Sequence, residues 1–214
     1  QRLMEIGNNE YKVEIDNFDK IVSYESADKK TDYFVVWKTD GTIWEYGTKA
    51  DSKVEPQGKN NVVLKWLVSK ISDRNGNAIV YNYYEDNLIG ETFIKNIEYT
   101  SNEKANVKAA YNVVFQYKDR QDANFGYIGE SLISNTKILN KIEVLNNYSG
   151  KKIIEYLFEY DDPGNYNRNY YLHHRLKTIQ LTIDGKKCNP TRIIWNSEDK
   201  WATDNNCGYN KYEL

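Results

Sequence analysis

Four times along this chain an alternating apolar run meets a small turn containing glycine and returns as a second alternating run rich in Tyr or Trp. Residues 34–46 turn at Asp40-Gly41, 66–83 at Asn75-Gly76, 141–160 at Ser149-Gly150 and 176–195 at Asp184-Gly185. Alternation with a period of two is the signature of a strand, and Asp-Gly or Asn-Gly supplies the positive φ of a tight hairpin. The chain therefore reads as all-β, a serial array of antiparallel hairpins forming an elongated or curved sheet, either a shell-like segment or two layers. Such an array needs a partner surface.

Composition narrows the class. Nineteen tyrosines and five tryptophans in 214 residues suit strands that are half covered, because Tyr pairs an apolar body with a wet hydroxyl. A formal charge of −2 lacks the basic footprint of a nucleic-acid binder. No apolar run reaches the roughly 18 residues a membrane span needs. Two cysteines, Cys188 and Cys207, leave open whether they pair and do not make a stapled scaffold. The chain begins at Gln1 without an initiator Met or a leader, so it reads as a mature product or, better, as a piece of a longer protein.

Along the chain, Tyr11, Val13 and Ile15 alternate with charged residues as a half-buried strand, which 18–25 continues. Residues 49–61 form a polar loop. Residues 62–71 are apolar on both faces of their alternation and predict a central strand covered on both sides. Residues 93–100 and 111–118 are further strands. Between them 101–110 has a composition that tolerates a short helix, and 119–134 reads as a loop around Gly126 and Gly129. Lys95, Asn96, Lys151 and Lys152 are the expected guards of exposed sheet edges. No flexible linker interrupts 1–214, which is read as a single β-rich segment, with 198–214 a tail or the start of a next module.

Candidate chemistry is sparse. His173 and His174 are adjacent, so on a strand they point to opposite faces and cannot easily share a metal; they read as a polar approach to Leu176. Asp73, Asn75 and Asn77 alternate as in a calcium loop, but Gly76 is misplaced and no bidentate Glu follows, so a hairpin turn accounts for them. Asp161-Asp162 reads as a solvated turn before Pro163. What remains is aromatic. Trp37, Trp44 and Tyr46 are the candidate carbohydrate-binding residues, a platform for a sugar ring, set against the plainer reading that cross-strand aromatic pairs stabilise the sheet. No catalytic residue, metal ligand or cofactor is expected.

Two segments carry a family resemblance. Residues 33–47, followed by Trp66-Leu-Val-Ser-Lys-Ile-Ser-Asp-Arg-Asn-Gly-Asn-Ala-Ile-Val-Tyr-Asn-Tyr83, resemble the SpvB-type region of the insecticidal toxin-complex B component. Residues 111–120 with Asp122, and 140–144, are similar to the same family's strands. Residues 150–162, then Arg175-Leu-Lys-Thr-Ile179, resemble the related RHS or YD repeats. The likeness spans about 10–197. It implies a non-catalytic scaffold segment of a large secreted or cell-surface bacterial protein, in which strands wind into a shell around a C-terminal toxin or effector cargo. The implied partners are the rest of the parent polypeptide and that cargo; the alternative is a carbohydrate-binding module. Some SpvB-like proteins carry an ADP-ribosyltransferase, which needs Ser-Thr-Ser and Glu-x-Glu; this chain has neither.

Overall fold

Three of the four turn glycines do the same job by two different routes. At Lys38–Thr42 and Asp73–Asn77 only the glycine takes positive φ, Gly41 at 86° and Gly76 at 91°, whereas Asp184 at 46° and Gly185 at 79° both do. In the first two turns an aspartate closes the loop through its side chain. Asp40 Oδ1 accepts the Thr42 N–H at 2.8 Å, and Asp73 Oδ1 accepts those of Asn75 and Asn77 at 2.8 and 2.9 Å. The Asp73 carboxylate is thus spent on its own turn, as the hairpin reading of that segment requires.

The computed structural model describes residues 2–57, 62–128, 130–161 and 174–195. In chain order the strands are β1 (Leu3–Gly7), β2 (Glu10–Val13), β3 (Lys20–Glu25), β4 (Thr31–Trp37), β5 (Ile43–Tyr46), β6 (Lys53–Val54), β7 (Lys65–Trp66), β8 (Val68–Ser72) and β9 (Asn77–Asp86). There follow β10 (Glu91–Asn102), β11 (Tyr111–Ile128), β12 (Ser131–Asn146), β13 (Lys152–Asp161), β14 (Arg175–Ile183), β15 (Lys186–Lys187) and β16 (Thr191–Arg192). Fourteen strands make one antiparallel sheet in the order β1-β2-β3-β4-β5-β8-β9-β10-β11-β12-β13-β14, with β15 and β16 both on the outer edge of β14. A separate two-stranded ladder joins β6 to β7. One continuous sheet, not closed into a barrel, is the arrangement the chain adopts.

Its interior is thin. Among the described residues the buried hydrophobics are Ile21, Val36 and Ala78, while Asp19, Ser23, Ser52, Ser69, Glu91, Asn96, Ser131 and Ser134 are buried polar residues. Most strand side chains are half covered, which is where a tyrosine-rich sequence is at ease. Buried polar groups are as a rule bonded, and among these the Ser134 hydroxyl is the exception. Glu91, at the start of β10, accepts hydrogen bonds from the Thr136 N–H and hydroxyl, both at 2.6 Å, and from the Lys137 N–H at 3.2 Å. It thereby ties β10 to β12 across the place where β11 has left β10, since β10 and β11 pair only at Asn96–Tyr99.

Several expected elements are redrawn. The strand expected across 11–25 is broken: Asp16 and Asn17 side chains accept the Phe18 and Asp19 N–H groups, Phe18 takes φ +62°, and the chain reverses into β3. The doubly covered strand expected at 62–71 does not form: among the described residues the run is divided between the small β6–β7 ladder and the main sheet. Val62 is exposed, Lys65 and Trp66 pair with β6, and only Val68–Ser72 joins the main sheet. No helix forms at 101–110; β10 runs to Asn102 and a turn returns through the Asn102–Val107 bridge. The loop expected at 119–134 is instead the distal half of the long β11–β12 hairpin, bulged between Asp119 and Asn124 and paired again to Ser131. Lys95, Asn96 and Lys152 lie on interior strands, and Lys151 immediately precedes one, so none guards an edge. Cys188 is exposed; Cys207, the segment 198–214 and residues 162–169 lie outside the described residues.

Candidate binding surface

Cross-strand register decides which aromatics share a face. Phe34 stands opposite Tyr46 and Val36 opposite Trp44, while Trp37 stands opposite Ile43. Since neighbours along a strand alternate, Trp44 and Tyr46 share one face and Trp37 lies on the other, with Lys20 Nζ 5.9 Å from its ring centre. The structure therefore brings together two of the three residues expected to form a platform. The rings of Trp44 and Tyr46 lie 6.3 Å apart at 23°. Trp44 Nε1 donates to Thr42 Oγ1 at 3.0 Å, and Lys38 Nζ sits 5.6 Å from the Trp44 ring. Burial pushes the Tyr46 phenol above its ordinary pKa.

The face that carries Tyr46 borders an open pocket of about 360 Å³, near the lower end of small-ligand sites. Its apolar wall comes from Leu3, Val13, Ile21, Phe34, Val36 and Trp66. Trp66 reaches it because Gly47, at φ +72°, leaves room: a Cβ there would fall 2.3 Å from Trp66 Cδ1. The indole meets Phe34 edge-on at 5.1 Å and 83° and donates Nε1–H to Asp32 O at 2.8 Å. At the polar end Asp19 is almost fully buried, and its Oδ2 accepts from Asn17 Nδ2 at 2.7 Å and Lys38 Nζ at 2.6 Å. The lining thus combines crossed rings and branched aliphatics with a polar end at Asn17, Asp19 and Lys38.

A second cluster lies far along the sheet. Arg120 forms a two-pronged bond to Asp122, Nε to Oδ1 at 2.8 Å and an Nη to Oδ2 at 2.9 Å. His174 donates its backbone N–H to Asp122 Oδ2 at 2.9 Å and places Nδ1 2.6 Å from Oδ1. The side chains of Asp122 and His174 are only 4% and 8% exposed. Hydrogen bonds from the Arg120 guanidinium hold the Asp122 carboxyl well below the usual carboxylate range, with burial opposing and the His174 bonds reinforcing. The polar approach expected at His174 is therefore a buried brace, while His173 lies outside the described residues. A carboxylate and imidazole in contact suggest general-base chemistry, yet among the described residues no hydroxyl or thiol is hydrogen-bonded to the His174 ring. No group of three or more His, Cys, Asp or Glu side chains among those residues could hold a metal ion. The signal in the sequence was Arg120-x-Asp122, two residues of opposite charge on one strand face.

No helix among the described residues is long and apolar enough to cross a membrane. The fold is shared with solved structures. The N-terminal domain of effector protein SpvB from Salmonella typhimurium strain LT2 matches with a TM-score of 0.68 at 13% identity, over 81% of this chain and 68% of that one. The TcdB2-TccC3 complex without its hypervariable C-terminal region matches with a TM-score of 0.71 at 12% identity, over 86% of this chain and 11% of the other. The Photorhabdus luminescens Tc holotoxin pore matches with a TM-score of 0.69 at 12% identity, over 87% and 11%. The chain thus spans about a tenth of the Tc toxin chains it matches. A sequence comparison with curated proteins finds no match. The family model described as Salmonella virulence plasmid 65kDa B protein matches residues 6–173, and the chain belongs to that SpvB family.

Proposed function

We propose that this chain is a non-catalytic scaffold segment of a large secreted or cell-surface bacterial protein, one piece of a β shell that encloses a C-terminal toxin or effector cargo. The observation that carries the reading is the main sheet itself, an unclosed surface of fourteen strands with only three buried hydrophobic residues among those described. Such a surface encloses space better than it builds a reaction centre, and its fold is that of a segment of the Tc complexes. The absence of Ser-Thr-Ser and Glu-x-Glu supports a scaffold role over ADP-ribosyl transfer. The brace at Asp122 supports the same role, because its acid and base are spent on each other and on Arg120.

The test is protease protection of the parent polypeptide. With this segment intact, the C-terminal region should resist protease and become digestible when the segment is deleted. Equal digestion in both forms would remove the shell reading. NAD turnover or sugar hydrolysis by the purified chain, lost on His174→Ala, would replace it with an enzyme. Saturable glycan binding lost on Trp44→Ala would favour the carbohydrate-binding alternative.

A further inference from the structure

The β8–β9 ladder is short, and side chains take over where it ends. β8 pairs with β9 only from Lys70 opposite Val80 to Ser72 opposite Ala78, yet β9 runs on to Asp86. Beyond Val80 its outer edge meets Lys49 and the 3-10 turn Ala50–Ser52 that follows it. Lys49 Nζ donates to Tyr81 O, and the Tyr83 N–H donates to Asp51 Oδ2 at 3.0 Å. Alternate residues of an antiparallel strand share a bonding side, so Tyr81 and Tyr83 are the pair whose main-chain groups face this turn.

Closing the edge leaves two features without a purpose. Lys49 Nζ also lies 2.6 Å from Asn82 Oδ1. A carbonyl bond of about 1.23 Å then puts the amine about 3–4 Å from Asn82 Cγ, bordering the spacing of about 3–3.5 Å at which reacting atoms are poised. Asn82 Nδ2, on the same carbon, makes no hydrogen bond among the described residues. The second feature is Asp51 Oδ1, which is buried and has no hydrogen-bond partner, although such groups are as a rule bonded.

The local charges suit an amine that reacts. Lys38, Lys53 and Lys70 are each paired with a carboxylate, whereas Lys49 forms no ion pair among the described residues. Burial lowers its pKa, opposed at longer range by Asp51 and Glu98, and desolvation favours the neutral amine. A neutral lysine amine is a nucleophile, and a carboxamide carbon is its electrophile. Asp51 is two residues on from Lys49 and is bonded to the residue after Asn82, so its carboxylate is held near both.

We propose that Lys49 and Asn82 condense into an intramolecular isopeptide bond, with Asp51 carrying the proton. Nζ, as the free amine, attacks Cγ; the Nζ–Cγ bond forms, the Cγ–Nδ2 bond breaks and ammonia leaves. Asp51 takes the proton from Nζ and returns it to Nδ2 through one water, and that water also satisfies Oδ1. No oxidant, metal or second substrate is consumed. The product closes residues 49–82, with β6, β7 and β8, into a covalent ring. This bond does not depend on the shell reading, because both residues belong to this chain.

Peptide mapping of the folded 214-residue chain tests it. Trypsin should release residues 39–53, uncut at Lys49, joined to residues 75–95 and lighter than their sum by one ammonia. The branched peptide is the readout, since Gln1 and Asn-Gly sequences lose ammonia by other routes. Lys49→Arg keeps the charge and removes the amine, so the branch should vanish while the melting transition stays cooperative. Asp51→Asn should slow its appearance after synthesis by about a hundredfold or more. The unsubstituted chain decides the main point without any variant. Separate peptides 39–49 and 75–95 after prolonged incubation of folded chain would overturn the proposal, as would a branch that survives Lys49→Arg. Branching in Asp51→Asn as fast as in the unsubstituted chain would overturn the part given to Asp51.

Discussion

His174 Nδ1 and Asp122 Oδ1 lie 2.6 Å apart although fifty-two residues separate them in the chain, and Arg120 holds the same carboxylate from the other side. The contact fastens the start of β14 to the bend of β11.

Removing that carboxylate should be costly. Asp122→Ala leaves a partly buried guanidinium and a backbone N–H without this acceptor, which should destabilise the chain by about 2 kcal/mol. Denaturant unfolding should show the loss, with Asp122→Asn intermediate. Because the folded carboxyl titrates below its unfolded value of about 3.9, the unfolded state takes up protons first on acidification. The contribution is complete above about pH 4 and fades as pH falls below it. A chain whose acid unfolding is unchanged by Asp122→Asn would contradict this.

Gly76→Val should cost more than about 1 kcal/mol. The residue sits at φ +91°, where a β-branched side chain is strained, and its Cβ would lie 2.8 Å from Lys104 Cγ and 3.1 Å from the Lys104 backbone N. Gly150→Ala is the informative comparison. Gly150 also has positive φ, at 67°, but nothing stands within 4 Å of the added carbon, so thermal melting should show the smaller loss.

Glu91→Ala should release the β10–β12 tie. Three donors lose their shared acceptor in a buried place, a loss of about 2 kcal/mol or more. Amide exchange should accelerate at Thr136 and Lys137 while the Asn96–Tyr99 pairing with β11 stays protected. Uniform acceleration along β10 would show instead that Glu91 supports the whole strand.

Two tyrosines set the alkaline limit. The phenols of Tyr83 and Tyr117 donate to Val68 O and Ile94 O, each at 2.8 Å, and burial pushes both to a pKa of about 12. An unfolded tyrosine ionises near 10, so between pH 10 and 12 the unfolded state loses protons first and stability falls as pH rises. Below pH 10 the two residues contribute no pH dependence. Ultraviolet titration should show them ionising last, and Tyr117→Phe should shift the alkaline unfolding and cost about 1 kcal/mol.

The hairpins were legible because their turns are local. Asp40-Gly41, Asn75-Gly76 and Asp184-Gly185 carry their own stereochemistry, and the strands beside them alternate. What was not legible depended on whether a second layer exists. The apolar run at 62–71 reads identically in a sandwich and in a single sheet, where its first half becomes a short ladder against β6. Likewise the charged stretch at 119–128 looks like a loop until its pairing with β12 is known. At the candidate sites, alternation alone separates Trp37 from Trp44 and Tyr46. Asp19 and Glu91 escaped notice, and Asp122 entered only through the family likeness, because a buried carboxylate is defined by partners distant in sequence.

Nearly every strand of the main sheet neighbours the strand before and after it in the chain, and this order has a mechanical consequence. Hydrogen bonds of an antiparallel ladder lie across the strands, so tension on one terminus loads them a few at a time rather than all in shear. Drawn from its N-terminal end, the chain should give way first at the short β1–β2 ladder and then peel strand by strand, at low force and without one large rupture. Passage in the opposite sense follows the same logic. A chain delivered progressively can close each hairpin on the one before it, so long-range loop closure need not limit its folding.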